Sequence, residues 1–175
     1  QEQIEFSWAG ETARHVGTVV HRWLQRIADD ALEGWSEERI DALVPAFRAD
    51  LQRRGVPPAE IDAATLLVRD ALANAIADER GRWVLSAHAK TWTEYRIRTR
   101  DGRRLVVDRR IVTADGAHWV VDYKTSRHEG ANPEAFLNRE RERYAAQLAR
   151  YAQALGGAHM GLYFPVLKGW REWDR

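Results

Sequence analysis

Two Asp-Gly dipeptides, Asp101-Gly102 and Asp115-Gly116, punctuate segments that alternate apolar and polar residues. Asp-Gly between alternating segments is a strong hairpin signal, because such turns need residues that tolerate positive φ. Three antiparallel strands are therefore expected, in "WVLSAHAKTWTEYRIRTR", "RRLVVDRRIVTA" and "HWVVDYK". In the first, Tyr95, Ile97 and Thr99 alternate against Glu94, Arg96 and Arg98. In the third, Trp119, Val121 and Tyr123 share one face, and Val120, Asp122 and Lys124 share the other. An apolar strand thus ends with a carboxylate beside an ammonium, which is either a surface ion pair or a piece of an active site.

The second hairpin decides what lies opposite. A three-residue loop of Ala114, Asp115 and Gly116, with Gly116 left-handed, pairs Thr113 with Ala117. Counting back, it pairs Asp108 with Asp122. Directly opposed residues share a face with Cβ atoms about 4.5–5.5 Å apart, and like charges so placed are destabilising. A divalent cation between them reverses that sign. A two-residue turn would instead place Asp108 opposite Tyr123. Two strand carboxylates suit a hard cation such as Mg²⁺, and Lys124 would lie within reach of a phosphate bound beside it.

The rest of the chain frames these strands. Val16, Val20, Trp23, Leu24 and Ile27 recur at helical spacing. Ser36 is an N-cap and Gly55 a stop for a second helix, which Pro45 kinks or divides. A third helix runs over 57–81, with Pro58 near its first turn and Gly81 at its end. After Asn132-Pro133, "EAFLNRERERYAAQLARYAQAL" is a long helix stopped by Gly156-Gly157, with "NRERERY" a solvated surface. "HMGLYFPVL" closes with one more strand. The expected architecture is a single α/β domain over 1–175, mainly helical over 1–81 and strand-rich with one long helix over 82–175.

Composition removes several classes of function. There is no cysteine, hence no disulfide, thiolate zinc site or cysteine-ligated iron–sulfur cluster. There is no apolar run long enough to span a membrane and no signal peptide pattern, so the expected location is cytoplasmic. The chain lacks an initiator Met, as expected of a fragment. The net charge of +1 argues against a uniformly basic binder. Positive charge comes almost wholly from arginine; the lysines are Lys90, Lys124 and Lys168. Arginine's planar fork suits phosphate.

Asp108 followed by Asp122-Tyr123-Lys124 on the next strand resembles the D…(D/E)-x-K core of the PD-(D/E)XK nuclease superfamily. The element order resembles its αβββαβ restriction-endonuclease-like core, here with an N-terminal helical cap. A closer resemblance is to the RecB-like nuclease domain at the C-terminus of helicase–nucleases of the RecB, AddA and UvrD type. "GTVVHRWL" resembles that family's helical G-T-x-x-H motif, "TEYRI" its acidic strand motif, and "QLARYAQAL" its Q-x-x-x-Y motif. One departure is Leu105, where the family usually carries glycine three residues before the first aspartate.

The resemblance implies a site. His21, Asp108, Asp122 and the Tyr123 backbone carbonyl would bind Mg²⁺, with Mn²⁺ able to substitute. Lys124 would be the catalytic lysine, and Glu94 would support the site or a second metal. Gln147 and Tyr151 would contact DNA or position Lys124 and the acids. The implied activity is a DNA exonuclease in double-strand-break processing or recombinational repair. Its partners would be DNA ends, single- or double-stranded, a helicase domain of the same parent chain and a second helicase–nuclease subunit. No nucleotide-binding Gly-rich loop is present, so the ATP site of any motor lies elsewhere. Two other classes stand beside this one: a catalytically silent nuclease fold that binds DNA or a subunit, and a metal-dependent hydrolase of a small phosphorylated substrate.

Overall fold

The computed structural model of the protein describes residues 2–126 and 132–174, with side chains from residue 10. Four helices come first: α1 Glu2–Asp29, α2 Glu37–Arg53, α3 Ile61–Ala77 and α4 Glu79–Leu85. Strands β1 Lys90–Arg98, β2 Arg104–Val112 and β3 His118–Tyr123 follow, then α5 Pro133–Ala154, β4 His159–Phe164 and β5 Gly169–Trp173. The strands form one sheet in the order β1-β2-β3-β4-β5. All neighbours are antiparallel except β3 and β4, which are parallel and joined through α5. Parallel neighbours need a crossover, and a helix supplies it.

Each sheet face closes over its own core. On one face, Val121 and Tyr123 pack with Val16, Val20, Leu24 and Ile27 of α1 and with residues of α2 to α4. On the other, Val120 and Leu162 pack with Leu148, Tyr151 and Ala152 of α5. The helical stripe of α1 and the two faces of β3 are thus as the sequence periodicities predict.

Both hairpins use one turn chemistry. Thr99-Arg100-Asp101-Gly102 and Thr113-Ala114-Asp115-Gly116 each place the glycine at positive φ, +84° and +85°. In the second, Thr113 N–H donates to Ala117 O at 3.0 Å and Gly116 N–H to Thr113 O at 2.9 Å. The first repeats this from Thr99 to Arg103 O and from Gly102 to Thr99 O, each at 2.9 Å. The threonine hydroxyl reaches the aspartate carboxylate in both turns. The loop is therefore the three-residue one, and the β2–β3 register it fixes runs from Val112↔His118 to Arg109↔Val121.

Several boundaries differ from the sequence expectation. The third helix stops at Ala77, and Asp78 restarts the chain as the N-cap of α4, accepting from Gly81 N–H at 3.1 Å. Gly81 is therefore not a stop. It lets α4 lie against α3, since a Cβ there would fall 2.3 Å from Ala75 O and 2.5 Å from the Tyr163 hydroxyl. Trp83, Val84 and Leu85, expected at the start of the first strand segment, are the end of that helix, which crosses the expected boundary between the helical and strand-rich parts. Pro58 lies in the turn before α3, and Pro45 sits inside an undivided α2. The last strand has a partner the sequence reading lacked, β5, which pairs Tyr163 with Trp170. Ser36, Gly55, Asn132 and the Gly156-Gly157 stop stand where expected.

Candidate active site

Asp108 marks a break in the sheet. β1 and β2 pair continuously except at Glu94 and Asp108, and Glu94 takes φ +46°, in the left-handed region that non-glycine residues rarely occupy. Alternation fails across this point. Val107 lies in the core under α5, with Ile97. Arg109 and Ile111, of the same parity, face the helical layer instead: Arg109 is 2% exposed and donates to Val84 O at 3.0 Å and Ser86 O at 2.9 Å. Those carbonyls end α4, where a cation is favourable. Arg109 thereby ties the helical cap to the strand that carries Asp108.

The β2–β3 ladder changes character at the same place. Beyond Arg109↔Val121, Tyr123 N–H donates to Asp108 Oδ2 at 2.9 Å, and Asp108 N–H makes a long contact with Asp122 Oδ1 at 3.5 Å. Each aspartate thus receives a backbone donor from the opposite strand, which holds the carboxylates side by side. The N–H and C=O of a strand residue point to the same side. The Tyr123 carbonyl therefore faces β2, while Lys124 N–H turns to β4 and donates to Tyr163 O at 2.9 Å.

His21 closes the group from α1. Its Nδ1 lies 2.8 Å from Gly17 O and its Nε2 lies 3.1 Å from Asp108 Oδ2. Both nitrogens face oxygen acceptors, an arrangement that favours the protonated imidazole. Burial opposes that charge, but the hydrogen bond to Asp108 and the fields of Asp108 and Asp122 outweigh it and raise the imidazole pKa. Asp122, 4% exposed, is pushed up to about 7, first by burial and then by the Asp108 charge, against the pull of Lys124. In the absence of a metal, protons favoured on His21 and Asp122 offset the charge of the paired carboxylates.

Lys124 Nζ lies 3.6 Å from Asp122 Oδ2 and 3.9 Å from the centre of the Tyr144 ring. Tyr144 places a π-face under the ammonium. A cleft of about 350 Å³ opens there, lined by His21, Tyr123, Lys124, Thr125, Ser126 and Tyr144 among others. A second hollow, about 540 Å³, lies on the other side of His21, toward Arg14, Arg22 and Glu94.

The other expected residues divide. Glu94 is exposed on the rim of the second hollow and makes no hydrogen bond or ion pair among the described residues. Gln147 donates from Nε2 to the Tyr151 hydroxyl at 2.8 Å. Tyr151 is 5% exposed; burial raises its pKa, and the charges of Asp122 and Asp108 add to that against the Gln147 bond. Leu105 pairs with Ile97 and packs at the edge of the α5-side core.

Sequence reasoning missed three contributors. Tyr144 ends the stretch read as a solvated surface. Gly17 accepts from His21, and a Cβ there would meet Thr125 Oγ1 at 3.0 Å, so glycine lets α1 approach the segment after β3. Glu140, within the stretch read as solvated, is 7% exposed and accepts from Ser126 Oγ at 3.3 Å. The i,i+4 spacing of Glu140 and Tyr144 on the face of α5 was the available signal.

Among the described residues, no three His, Asp or Glu side chains form a ready-made cage. The donor set nonetheless fits a divalent cation. Mg²⁺ characteristically takes one or two carboxylates and leaves its remaining positions to water and phosphate oxygens. Loss of the Nε2 proton leaves a lone pair aimed at Asp108, and Gly17 O already fixes the tautomer, as an outer partner does for a metal-ligating histidine.

No curated protein matches the chain. A family model, that of the PD-(D/E)XK nuclease superfamily, matches residues 4–163, a span containing every candidate site residue from His21 to Tyr151. The α/β fold with its N-terminal helices agrees with that match, and the chain belongs to the PD-(D/E)XK nuclease superfamily.

Proposed function

We propose that this domain is a Mg²⁺-dependent deoxyribonuclease of the RecB-like type, an exonuclease working on DNA ends delivered by a helicase during recombinational repair. The observation that carries the reading is the opposition of Asp108 and Asp122 across β2 and β3, with Lys124 3.6 Å from Asp122 and His21 3.1 Å from Asp108. Asp108, Asp122, His21 Nε2 and the Tyr123 carbonyl would hold the ion. A bound divalent cation supplies Lewis-acid polarisation of the phosphate and neutralises charge that builds on it.

The chain's own residues do the rest. Lys124 directs its ammonium into the cleft, where it would donate to a phosphate oxygen or orient the attacking water. Tyr144 and Asp122 fix that ammonium in place. Gly17 O holds His21 by Nδ1, so the Nε2 side alone faces Asp108. Gln147 fixes the Tyr151 hydroxyl along α5, and Tyr151 packs against the sheet with Val120 and Leu162. Glu94, on the rim of the neighbouring hollow, would support the site or a second metal.

The test is cleavage of linear and circular DNA, single- and double-stranded, labelled at either end, in Mg²⁺, Mn²⁺ and EDTA. Metal-dependent shortening of linear DNA with circles intact is the expected result. Cleaved circles would replace exonuclease by endonuclease. Absence of cleavage in every metal, in both the isolated domain and the helicase-linked protein, would overturn the reading.

A further inference from the structure

A further hollow lies away from the carboxylates. It measures about 660 Å³ and lies between the β1–β2 hairpin and the last turns of α5. Arg98, Arg100, Arg103 and Arg150 line it, over a floor that includes Leu105 and Ala154. Arg103 is paired with Asp101 at 3.1 Å. Among the described residues, Arg98, Arg100 and Arg150 are exposed and have no ion-pair partner.

We propose that this groove is a separate binding site for a polynucleotide strand, gripping its phosphates outside the hydrolytic centre. The proposal rests on the nuclease reading for its place in the reaction, but not for its own chemistry. Arginine walls suit successive phosphates, and an apolar floor at Leu105 suits the sugar and base faces between them. A free phosphate would have no use for that floor. Leu105 lies three residues from Asp108 along β2, about 10 Å at strand rise. The groove therefore receives phosphates a few nucleotides from the bond at the carboxylates, so a short substrate would miss it. Leu105, the departure from the family's glycine, then becomes part of a contact surface.

The test is fluorescence anisotropy with a labelled single-stranded 15-mer in EDTA, across a salt series. The wild type is compared with Arg98→Ala/Arg100→Ala/Arg150→Ala and with the same three changed to Lys. All three side chains are exposed, and unchanged melting temperatures would establish that the variants fold. Each phosphate contact on a single strand contributes about 0.7 to the slope of log affinity against log salt. The alanine variant should lose about 2 from that slope and at least tenfold in affinity at moderate salt. The lysine variant should keep the slope. An alanine variant with wild-type slope and affinity, or a wild type with no salt-dependent binding, would overturn the groove. Cleavage measured in parallel separates the two claims. Cleavage by the wild type with no effect of the alanines on binding would sink the groove alone. Binding that the alanines abolish, with no cleavage by either the isolated domain or the helicase-linked protein, would uphold the groove and sink the nuclease.

Discussion

His21 and Asp108 are 87 positions apart in the chain, yet Nε2 of one lies 3.1 Å from Oδ2 of the other. In this arrangement a proton on Nε2 holds the imidazole to the carboxylate. The same lone pairs would serve a divalent cation, so proton and metal compete.

That competition has a sign. Asp122 titrates at about 7 in the fold, above the ordinary value near 4 of an unfolded chain. The folded, metal-free protein holds the extra proton, so stability falls as pH rises through that window. His21, also raised, loses its contribution as pH climbs through its own folded value, above about 6.5. Metal binding requires both protons to leave. The rise in melting temperature on adding Mg²⁺ should therefore be larger at pH 8 than at pH 6. Thermal melts at both values, with Mg²⁺ and with EDTA, would check it, and an equal rise at both would contradict it.

Asp122→Asn should abolish cleavage and yet stabilise the metal-free protein. It removes a buried charge facing Asp108 and keeps a carbonyl oxygen for the Asp108 N–H. A gain of about 1 kcal/mol corresponds to roughly 2–4 °C for a chain of this size. Melting in EDTA at pH 8 reads it, and a lower melting temperature than wild type would count against the opposed-carboxylate account.

Tyr144 should matter through its ring. Tyr144→Phe keeps the face under Lys124 and should leave cleavage within about twofold. Tyr144→Leu removes the contact, worth roughly 0.5–2 kcal/mol, and should lower kcat by about 2- to 30-fold with little change in KM. Steady-state rates on one DNA substrate distinguish these, and equal loss in both variants would assign the effect to the hydroxyl.

Gly81→Ala should destabilise without touching the chemistry. The added methyl collides with Ala75 O and the Tyr163 hydroxyl, and overpacking of this kind costs about 1–3 kcal/mol. Chemical denaturation should show a lower midpoint with an unchanged slope, while the activity of the folded fraction stays at wild type.

Much of this fold is legible in the chain because local signals agree. The Thr-x-Asp-Gly turns fix a strand register that runs to Arg109↔Val121, one step short of Asp108 and Asp122, and contacts between side chain and backbone hold those two together. What the chain hides is tertiary. The left-handed turn at Glu94 reverses the faces of β1 and β2, and no local propensity asks an exposed glutamate for that conformation. Trp83, Val84 and Leu85 are bulky apolar residues at home in strand or helix; the Asp78 cap and the Gly81 contact decide for helix. β5 is short and polar by alternation, and it is fixed by pairing with β4. Glu140 reads as surface because its neighbours are charged, and only packing against Ser126 shows otherwise.

The most direct measurement is calorimetric titration of the protein with Mn²⁺ and with Mg²⁺, set against Asp108→Asn/Asp122→Asn. The account predicts saturable binding to the wild type, release of protons on binding, and loss of both in the double variant while the fold persists by circular dichroism. A wild type that binds neither ion, or a double variant that binds them as well as wild type, would contradict it.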